Sequence, residues 1–319
     1  MLRFGDRWVW DSWTADDGDR YHLFFLQAPR TPSHPDARHF QVSIGHAFSH
    51  DLYTWEEMPT ALRPASSPRW DDYTTWTGSV VQSPDGRWLM FYTGTSRAED
   101  GLVQRIGAAI SVDLLTWQRL DMPPIEADPT WYERLDPLSW PDEAWRDPYV
   151  LPDPHGDGWH MLITARANIG PPDRRGVVGH ARSSDLLTWE VQPPLTQPGT
   201  FGHLEVPQVV DMDGHPLLVF SCHAAQMPPE HRAGVGSRGI WSVRGPSLLG
   251  PFDTSTASVF DHTSLYAGRV IKDRAGTWIL LGFRYDEDDT FIGEIPDPIP
   301  INEVDGRIEA HGLNRSHSR

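Results

Sequence analysis

Short apolar runs separated by polar turns dominate the pattern along the chain. A turn containing glycine, followed by an apolar and aromatic-rich run, occurs five times, as DGDRYHLFF, DGRWLMFYTG, DGWHMLITA, DGHPLLVFS and AGTWILLGF. Asp-Gly between two strand-like runs is a strong indicator of a β-hairpin. The turn glycines are Gly18, Gly86, Gly158, Gly214 and Gly276. The pattern therefore predicts five hairpins, spaced 56 to 72 residues apart.

A second segment recurs three times and ends in Thr-Trp, as IGHAFSHDLYTW, IGAAISVDLLTW and VGHARSSDLLTW. Its Gly-x-Ala-x-Ser part places small residues at every second position, which is the period of a β-strand. The Asp-Leu pair is expected to turn the chain, and Thr-Trp to begin the next strand. Together with the hairpins, these copies define a repeating unit of about 65 residues that contains several short strands.

Five such units account for nearly the whole chain, and few segments have a helical pattern. Repeated sheets arranged radially about an axis form a β-propeller. The sequence therefore predicts an all-β fold, a single-domain five-bladed β-propeller over residues 1–300, with an irregular tail over residues 301–319. Closely spaced prolines near the end argue against a central strand there. A β-sandwich or two tandem β domains are the alternatives, but no linker or change in composition separates two domains.

Three of the units carry a carboxylate at a similar place in the first strand. Asp11, Asp147 and Glu205 lie seven, eleven and nine residues before the turn glycines of units one, three and four. Because the first strand of each blade lines the axis of a propeller, the three side chains are expected to converge on one pocket. Glycoside hydrolysis needs a proton donor for the leaving oxygen and a second carboxylate at the sugar carbon. These three residues are therefore the predicted catalytic groups.

Neighbours of the first two carboxylates have side chains suited to a sugar site. Trp10 and Trp13 flank Asp11 and are expected to supply an apolar floor that excludes water. Clustered carboxylates repel one another, which raises at least one pKa. Arg146 precedes Asp147 and is expected to offset part of that repulsion.

The remaining units contribute further candidate binding residues. His203 lies two residues before Glu205, so the two side chains are expected to share a strand face. In units two and five, Trp76, Thr77 and Tyr266 lie nine or ten residues before the turn glycine, where other units carry a carboxylate. All four are predicted to bind substrate.

At these residues the chain resembles the fructan-active glycoside hydrolases of families 32 and 68, the invertase and levansucrase clan. VWDSW resembles the levansucrase-type motif that carries the nucleophile, which implies that role for Asp11. WRDP matches an Arg-Asp-Pro motif and implies that Asp147 stabilises the transition state. EVP resembles the invertase Glu-Cys-Pro and implies that Glu205 is the acid/base. The resemblance extends over about residues 7–290.

Other segments add to the resemblance or depart from it. WTGS resembles the segment that lines the sugar site, with Thr77 in place of serine, and YAG resembles a fifth-blade tyrosine motif that implies a sugar contact for Tyr266. Val206 replaces the usual cysteine after the acid/base glutamate. The glutamine after the YHLFF run is offset by one position, and this slip is expected to turn Gln27 away from the sugar unless a bulge intervenes.

The resemblance implies a retaining β-fructofuranosidase that releases fructose from sucrose or short fructo-oligosaccharides by double displacement. Three alternatives stay open. They are fructosyl transfer of the levansucrase type, an inverting pentosidase of the arabinanase type, and a sugar-binding propeller without catalysis. The separation of the two carboxyl groups distinguishes a retaining from an inverting enzyme.

The composition of the chain excludes several classes of binding partner. The chain of 319 residues has 27 Lys and Arg against 44 Asp and Glu, a net charge of −17, which argues against nucleic acid or an anionic membrane. Its one cysteine, Cys222, excludes a disulfide framework and a cysteine zinc site. The start lacks the apolar region of a signal peptide, so a cytoplasmic location is expected. The predicted partner is a small carbohydrate, with no cofactor and no metal, and the oligomeric state stays open.

Two further features are assigned to structure rather than to chemistry. His46 and His180 occupy equivalent positions in two copies of the repeat, which indicates packing or hydrogen bonding within a blade rather than a metal site. The DEDD segment at residues 286–289 is interpreted as an acidic surface loop, with a cation site as the alternative that stays open.

Overall fold

The computed structural model describes residues 1–31, 33–156, 158–232, 238–260, 264–287 and 290–311. In this part of the chain the strands form five antiparallel sheets. Six short 3-10 helices lie between strands: Pro35–His39, Arg97–Glu99, Pro172–Arg174, Ala224–Gln226, Pro229–His231 and Thr254–Thr256. No helix among the described residues has the length and apolar character needed to cross a membrane.

Each sheet is one blade, and the strands follow chain order from its first strand outwards. Blade 1 contains β1 (Arg7–Asp16), β2 (Tyr21–Pro29), β3 (Ser43–Ser49) and β4 (Glu56–Leu62). Blade 2 contains β5 (Thr74–Gln82), β6 (Trp88–Thr95), β7 (Gln104–Ser111) and β8 (Gln118–Arg119). Blade 3 contains β9 (Trp145–Pro152), β10 (Trp159–Arg166), β11 (Gly176–Ser183) and β12 (Glu190–Gln192).

The last two blades follow the same plan. Blade 4 contains β13 (Glu205–Asp211), β14 (Pro216–His223), β15 (Arg238–Arg244) and β16 (Ser258–Val259). Blade 5 contains β17 (Leu265–Lys272), β18 (Trp278–Glu287), β19 (Thr290–Glu294), β20 (Ile299–Val304) and β21 (Arg307–Ala310). In blade 5, β19 pairs with β18 beside the path of the other four strands.

The first strands of the blades form a closed ring around the axis. Strands β1, β5, β9, β13 and β17 contact one another in that order, and β17 contacts β1. The predicted five-bladed propeller is therefore confirmed.

Both repeated turns have the predicted backbone. The five turn glycines have φ between 85° and 96°, a left-handed conformation that glycine adopts without steric cost, and each joins the first two strands of a blade. In the Asp-Leu turns, Leu52, Leu114 and Leu186 have φ of 63° to 68°. The carboxylate of Asp51 accepts hydrogen bonds of 2.8 and 2.7 Å from the backbone N–H groups of Tyr53 and Thr54. Local turn chemistry therefore fixes where each blade bends.

The repeated histidines are structural hydrogen-bonding groups. Nε2 of His46 lies 2.9 Å from Nδ1 of His22 in blade 1, and Nε2 of His180 lies 2.8 Å from Nδ1 of His160 in blade 3. In each pair the second histidine also meets an aspartate carboxylate. Burial, before any other cause, lowers the pKa of His46 to about 3 and that of His180 to about 4, so both rings are neutral at pH 7.

The prediction of an irregular tail from residue 301 was wrong for residues 301–310. Strands β20 and β21 form a hairpin there, and Ile301 and Ile308 on its two strands are buried in the hydrophobic cluster that blades 4 and 5 share. The sequence contains the reason, since Asp305-Gly306 is a further Asp-Gly turn, with φ of 51° and 84°. Pro300 is tolerated because β20 pairs with β18 over only two residue pairs. Residues 312–319 lie outside the described residues.

The N-terminal residues join blade 5. Leu2 exchanges two backbone hydrogen bonds with Ile295, of 2.7 and 3.0 Å, just after β19. Blade 5 therefore includes a contribution from the N-terminal residues, which adds to the closure of the ring.

Candidate active site

One pocket lies where the inner strands of all five blades meet. It has a volume of about 440 Å³ and is lined by residues from β1, β5, β9, β13 and β17. Asp11, Asp147 and Glu205 all line it. The structure thus brings together the three carboxylates that the repeat pattern singled out.

Every inner strand carries a bulge at the level of this pocket. In β1 and β5, Asp11 and Thr77 are single extra residues between paired neighbours. In the other three strands, two residues face one on the partner strand: residues 147–148 in β9, 206–207 in β13 and 267–268 in β17. Bulges re-aim side chains and are common beside active sites. Here the bulges lie in all five inner strands at the level of one pocket.

The bulges correct the predicted equivalence of the three carboxylates. Asp11 and Asp147 lie within their bulges, but Glu205 comes immediately before the bulge of β13, at the place that Arg146 and Tyr266 occupy in β9 and β17. Counting residues back from a turn glycine cannot detect this offset. A bulge adds a residue to the count but leaves the position along the paired strand unchanged.

Left-handed backbone is part of the site. Asp147, Val206 and Ala267 have φ of 58°, 52° and 50°, and such values are unfavourable for a β-branched residue such as valine. The amide of Val206 donates a hydrogen bond of 3.1 Å to Oδ2 of Asp147. The unfavourable conformation at position 206 is therefore coupled to a hydrogen bond to a candidate catalytic carboxylate.

Asp11 is held as a weak acid. Burial is the largest cause that raises its pKa, to about 7, and the charges of Asp147 and Glu205 add to the effect. The hydroxyl of Thr77 donates a hydrogen bond of 2.6 Å to Oδ2 and opposes the shift. Asp11 consequently changes charge near neutral pH.

Asp147 is enclosed by donors. Its Oδ2 accepts a hydrogen bond of 2.8 Å from the hydroxyl of Thr164 as well as that from Val206, and Nε of Arg146 lies 3.6 Å away. Burial raises its pKa, and Arg146 offsets part of that shift. These contacts fix the orientation of the carboxylate towards the pocket.

Glu205 is held as a carboxylate. Burial alone would raise its pKa, but the charge of Arg146 outweighs burial, and the pKa falls to about 2. Nη2 of Arg146 donates to Oε1 at 2.5 Å, and the hydroxyl of Tyr266 donates a short hydrogen bond to Oε2. Arg146 thus neutralises Glu205 more directly than Asp147, the partner that the sequence suggested.

The predicted binding residues reach the pocket, with one exception. The residues that line it are Trp10, Trp76, Thr77, Arg146, His203 and Tyr266. The indole Nε1 of Trp76 donates a hydrogen bond of 2.8 Å to the carbonyl of His39, which fixes that ring at the pocket wall.

Trp13 is the exception, and its assignment to the sugar site was wrong. It is 3% exposed and stacks on Phe24 in the core, with ring centroids 6.3 Å apart. Strict alternation would place Asp11 and Trp13 on one face of β1, but the bulge at Asp11 interrupts it. Gln27 also lies away from the pocket and donates to the hydroxyls of Ser43 and Thr60.

Several further lining residues were not predicted. They are Leu26, Asp36, Arg38, His39, Phe40, Gln104, Trp140, Pro141, Asp142, Val206, His223, Gln226, Phe283 and Tyr285. Gln104 at the start of β7 donates a hydrogen bond of 2.8 Å to Oδ2 of Asp142 and accepts one of 3.2 Å from Arg146. The sequence offers one indication of these contacts, namely that Asp142 lies close in sequence to the WRDP motif.

Arg269 supports the site from behind. Its Nη1 donates hydrogen bonds of 3.3 and 2.8 Å to the carbonyls of Val206 and Pro207, the bulge residues of β13. It is 3% exposed, and its charge lowers the pKa of Asp11 slightly against the effect of burial. The YAGR segment contains this residue, but no repeat pattern marks it.

The acidic segment at residues 286–289 lies partly outside the described residues, which exclude 288 and 289. Asp286 forms an ion pair of 2.5 Å with Arg238. Within the described ranges, no three His, Cys, Asp or Glu side chains are grouped as a metal site requires.

Comparison with known proteins agrees with this geometry. The family model described as the glycosyl hydrolases family 32 N-terminal domain matches residues 15–292. The chain belongs to glycosyl hydrolase family 32. An insoluble beta-fructofuranosidase isoenzyme of Arabidopsis thaliana is 25% identical to this family 32 chain over 276 residues, which are 81% of the chain and 47% of the relative.

Two solved structures share the fold. The family 32 beta-fructofuranosidase of Bombyx mori superposes with a TM-score of 0.68 at 20% sequence identity. The match covers 95% of this chain and 64% of the Bombyx mori chain. The inulosucrase of Halalkalicoccus jeotgali, bound to kestose, superposes with a TM-score of 0.70 at 20% sequence identity. The match covers 97% of this chain and 90% of the inulosucrase chain. The chain thus spans about half the length of the Arabidopsis relative and about two thirds of the silkworm enzyme.

Proposed function

We propose that this family 32 protein is a retaining β-fructofuranosidase that releases fructose from sucrose or short fructo-oligosaccharides. The observation that carries the proposal is the convergence of Asp11, Asp147 and Glu205, from three blades, on one pocket. Family membership supports the substrate class, and the tryptophan rings at the pocket wall suit a sugar.

Each carboxylate has a separate part in the proposed double displacement. Asp11 attacks the anomeric carbon and forms a covalent fructosyl ester, while Glu205 gives a proton to the leaving oxygen. Glu205 then takes a proton from the water that hydrolyses the ester. Asp147, fixed by Thr164 and the amide of Val206, stabilises the positive charge that develops on the sugar ring.

The proton must change place for this chemistry to begin. The pKa values assign it to Asp11 rather than to Glu205, whereas the mechanism needs an ionised nucleophile and a protonated acid. Because the two groups interact, they titrate as a pair that holds one proton between about pH 2 and about pH 7. The reactive arrangement, with the proton on Glu205, is a minor form with the same pH dependence.

The pair predicts how activity depends on pH. As pH rises through about 7 the pair loses its proton, so kcat/KM is expected to fall. Because Thr77 lowers the pKa of Asp11, the Thr77→Val variant is expected to shift this alkaline limb to higher pH by about half a unit to one unit. Thr77→Ser keeps the hydroxyl and is the matched control. Rates of fructose release from pH 4 to 9 measure the limb, and a Thr77→Val limb at or below that of the wild type contradicts the assignment.

Substrate tests decide the function itself. Wild-type protein is incubated with sucrose, inulin-type and levan-type oligosaccharides and an arabinofuranoside, and the released sugars are identified. Fructose with initial retention of the β-configuration, followed by NMR, is the expected result. Arabinose alone, or inversion, would move the protein to another class of glycosidase, and no release from any substrate would contradict the proposal.

Fructosyl transfer is the second candidate, because the inulosucrase shares 90% of its length with this fold. The same incubations at high sucrose distinguish the two activities, since transfer gives products longer than the substrate. The cytoplasmic location stays a prediction, and cell fractionation with antibody detection would test it.

A further inference from the structure

Two of the three carboxylates depend on the bulge of β13. Glu205 comes immediately before this bulge, and Val206 within it has φ of 52°, which is unfavourable for a β-branched residue. The amide of Val206 donates both to Oδ2 of Asp147, at 3.1 Å, and to the hydroxyl of Thr164, at 3.2 Å. The direction of Glu205 and the main-chain hydrogen bond to Asp147 are therefore set by one unfavourable conformation.

Arg269, in the inner strand of the next blade, holds the carbonyl side of the same bulge. Its Nη1 donates hydrogen bonds of 3.3 and 2.8 Å to the carbonyls of Val206 and Pro207. Among the described residues, its Nε and Nη2 are buried and have no hydrogen-bond partner. Burying a guanidinium with only part of its donors used is unfavourable, so packing alone would favour an apolar residue here. The contacts with two bulge carbonyls indicate instead that the bulge has to be held.

The charge of Arg269 acts on the same carboxylates. Burial, before any other cause, lowers the pKa of Arg269, and the negative charges of Asp147 and Asp11 are among the causes that oppose this shift. Arg269 therefore has two effects on a positively charged group in the pocket, and their signs are opposite. Its own charge repels such a group, whereas its hold on the bulge keeps Asp147 in place to attract it.

We propose that Arg269 is a positioning residue for Asp147. By holding both bulge carbonyls of β13, it keeps the amide of Val206 on this carboxylate, which then faces the positive charge that develops on the sugar ring. The inference rests on the proposed function, because it assigns Asp147 to the charge of a fructosyl group. If Arg269 only filled space behind the pocket, its substitution would lower the stability of the fold without a selective effect on bound charge.

A protonated iminosugar, a pyrrolidine with the hydroxyl groups of fructofuranose, is the probe for this role. Its charged ring resembles the transition state and reports on Asp147, whereas fructose is the neutral reference. Arg269→Met keeps an unbranched side chain without a donor. This variant is expected to bind the iminosugar about 10-fold more weakly than the wild type does, and fructose less than about 3-fold more weakly. Calorimetric titration measures both affinities, and its stoichiometry gives the folded fraction.

Two further substitutions test the hold on the bulge. Arg269→Lys keeps a charged donor on a long side chain, and it is expected to bind the iminosugar within about 3-fold of the wild type. Val206→Gly allows the left-handed conformation without steric cost, so the bulge requires less support. In the Val206→Gly background, Arg269→Met is therefore expected to weaken iminosugar binding by less than about 3-fold.

The direction of the change in Arg269→Met decides the inference. Unchanged or tighter binding of the iminosugar overturns it, because removal of a repulsive charge alone would tighten binding. Equal losses for both ligands, or an undiminished loss in the Val206→Gly background, overturn it too. If Arg269→Met does not fold, the same substitution is expected to fold in the Val206→Gly background, and failure there contradicts the inference. If neither ligand binds to the wild type, the proposed function fails, and the inference that rests on it fails with it.

Discussion

The Asp11→Asn variant is expected to lose fructose release by about 10⁴-fold or more while becoming more stable at alkaline pH. The amide of asparagine is a poor nucleophile and cannot form the covalent ester. Its size and shape match those of aspartate, and its side-chain oxygen can still accept the hydrogen bond from Thr77. The loss of activity should therefore occur without loss of the fold.

The stability gain follows from the direction of the pKa shift. The pKa of Asp11 rises from 3.8 to about 7 on folding, so the folded state favours the protonated acid. Stability from this group is complete below about pH 4 and is lost as pH rises through 7. Asparagine does not ionise, so the variant avoids this loss, which amounts to at most about 4 kcal/mol at pH 8. The opening of the pocket to solvent reduces that limit.

Urea unfolding of both proteins at pH 5 and pH 8, together with fructose assays, checks the two effects. The stability difference should be larger at pH 8. Asp6→Asn is the matched control, because the carboxylate of Asp6 is 76% exposed and lies outside the pocket. Activity at the wild-type level in Asp11→Asn would exclude Asp11 as the nucleophile, and a stability difference that is independent of pH would exclude its raised pKa.

The Glu205→Gln variant is expected to lose activity in a way that depends on the leaving group. With sucrose, kcat should fall by about 10² to 10⁴-fold, because the sugar alkoxide cannot leave without a proton. With an aryl β-fructofuranoside, whose phenolate leaves unaided, cleavage should fall far less. Added azide should then accelerate turnover by attacking the fructosyl ester without a general base.

Steady-state rates on both substrates, with and without azide, measure this dependence. Glu56→Gln is a suitable control, since Glu56 is exposed on β4 and far from the inner strands. Equal losses on sucrose and on the aryl fructoside would show that Glu205 binds or positions the fructosyl group instead of acting as the acid.

Much of the fold was predictable because the repeats are made by local chemistry. A glycine with positive φ and an aspartate that caps the next turn determine the backbone over only a few residues. The same residue types therefore recur wherever a blade bends. The hairpin of β20 and β21 obeys the same rule through Asp305-Gly306. The nearby prolines argue against a strand at this place, but the turn and the burial of Ile301 and Ile308 outweigh them.

The site was predictable only in part, because bulges and loops follow no period. The three carboxylates could be found from their place before the turns, but Trp13 was misplaced by the bulge at Asp11. Asp142 and Gln104 meet through a hydrogen bond between residues 38 positions apart. Such a contact depends on how the blades are packed together, and a single sequence carries no local pattern for it.

The ring of bulges also bears on how this scaffold can acquire new specificities. A residue within a bulge is released from the alternation of the sheet, so its side chain can be exchanged with little effect on the strands that hold it. Thr77 occupies such a place with a small uncharged side chain that lines the pocket, in a blade that supplies no carboxylate. Mutational libraries at Thr77 would vary the shape of the pocket and, through the hydrogen bond to Asp11, would also change the pKa of that carboxyl group.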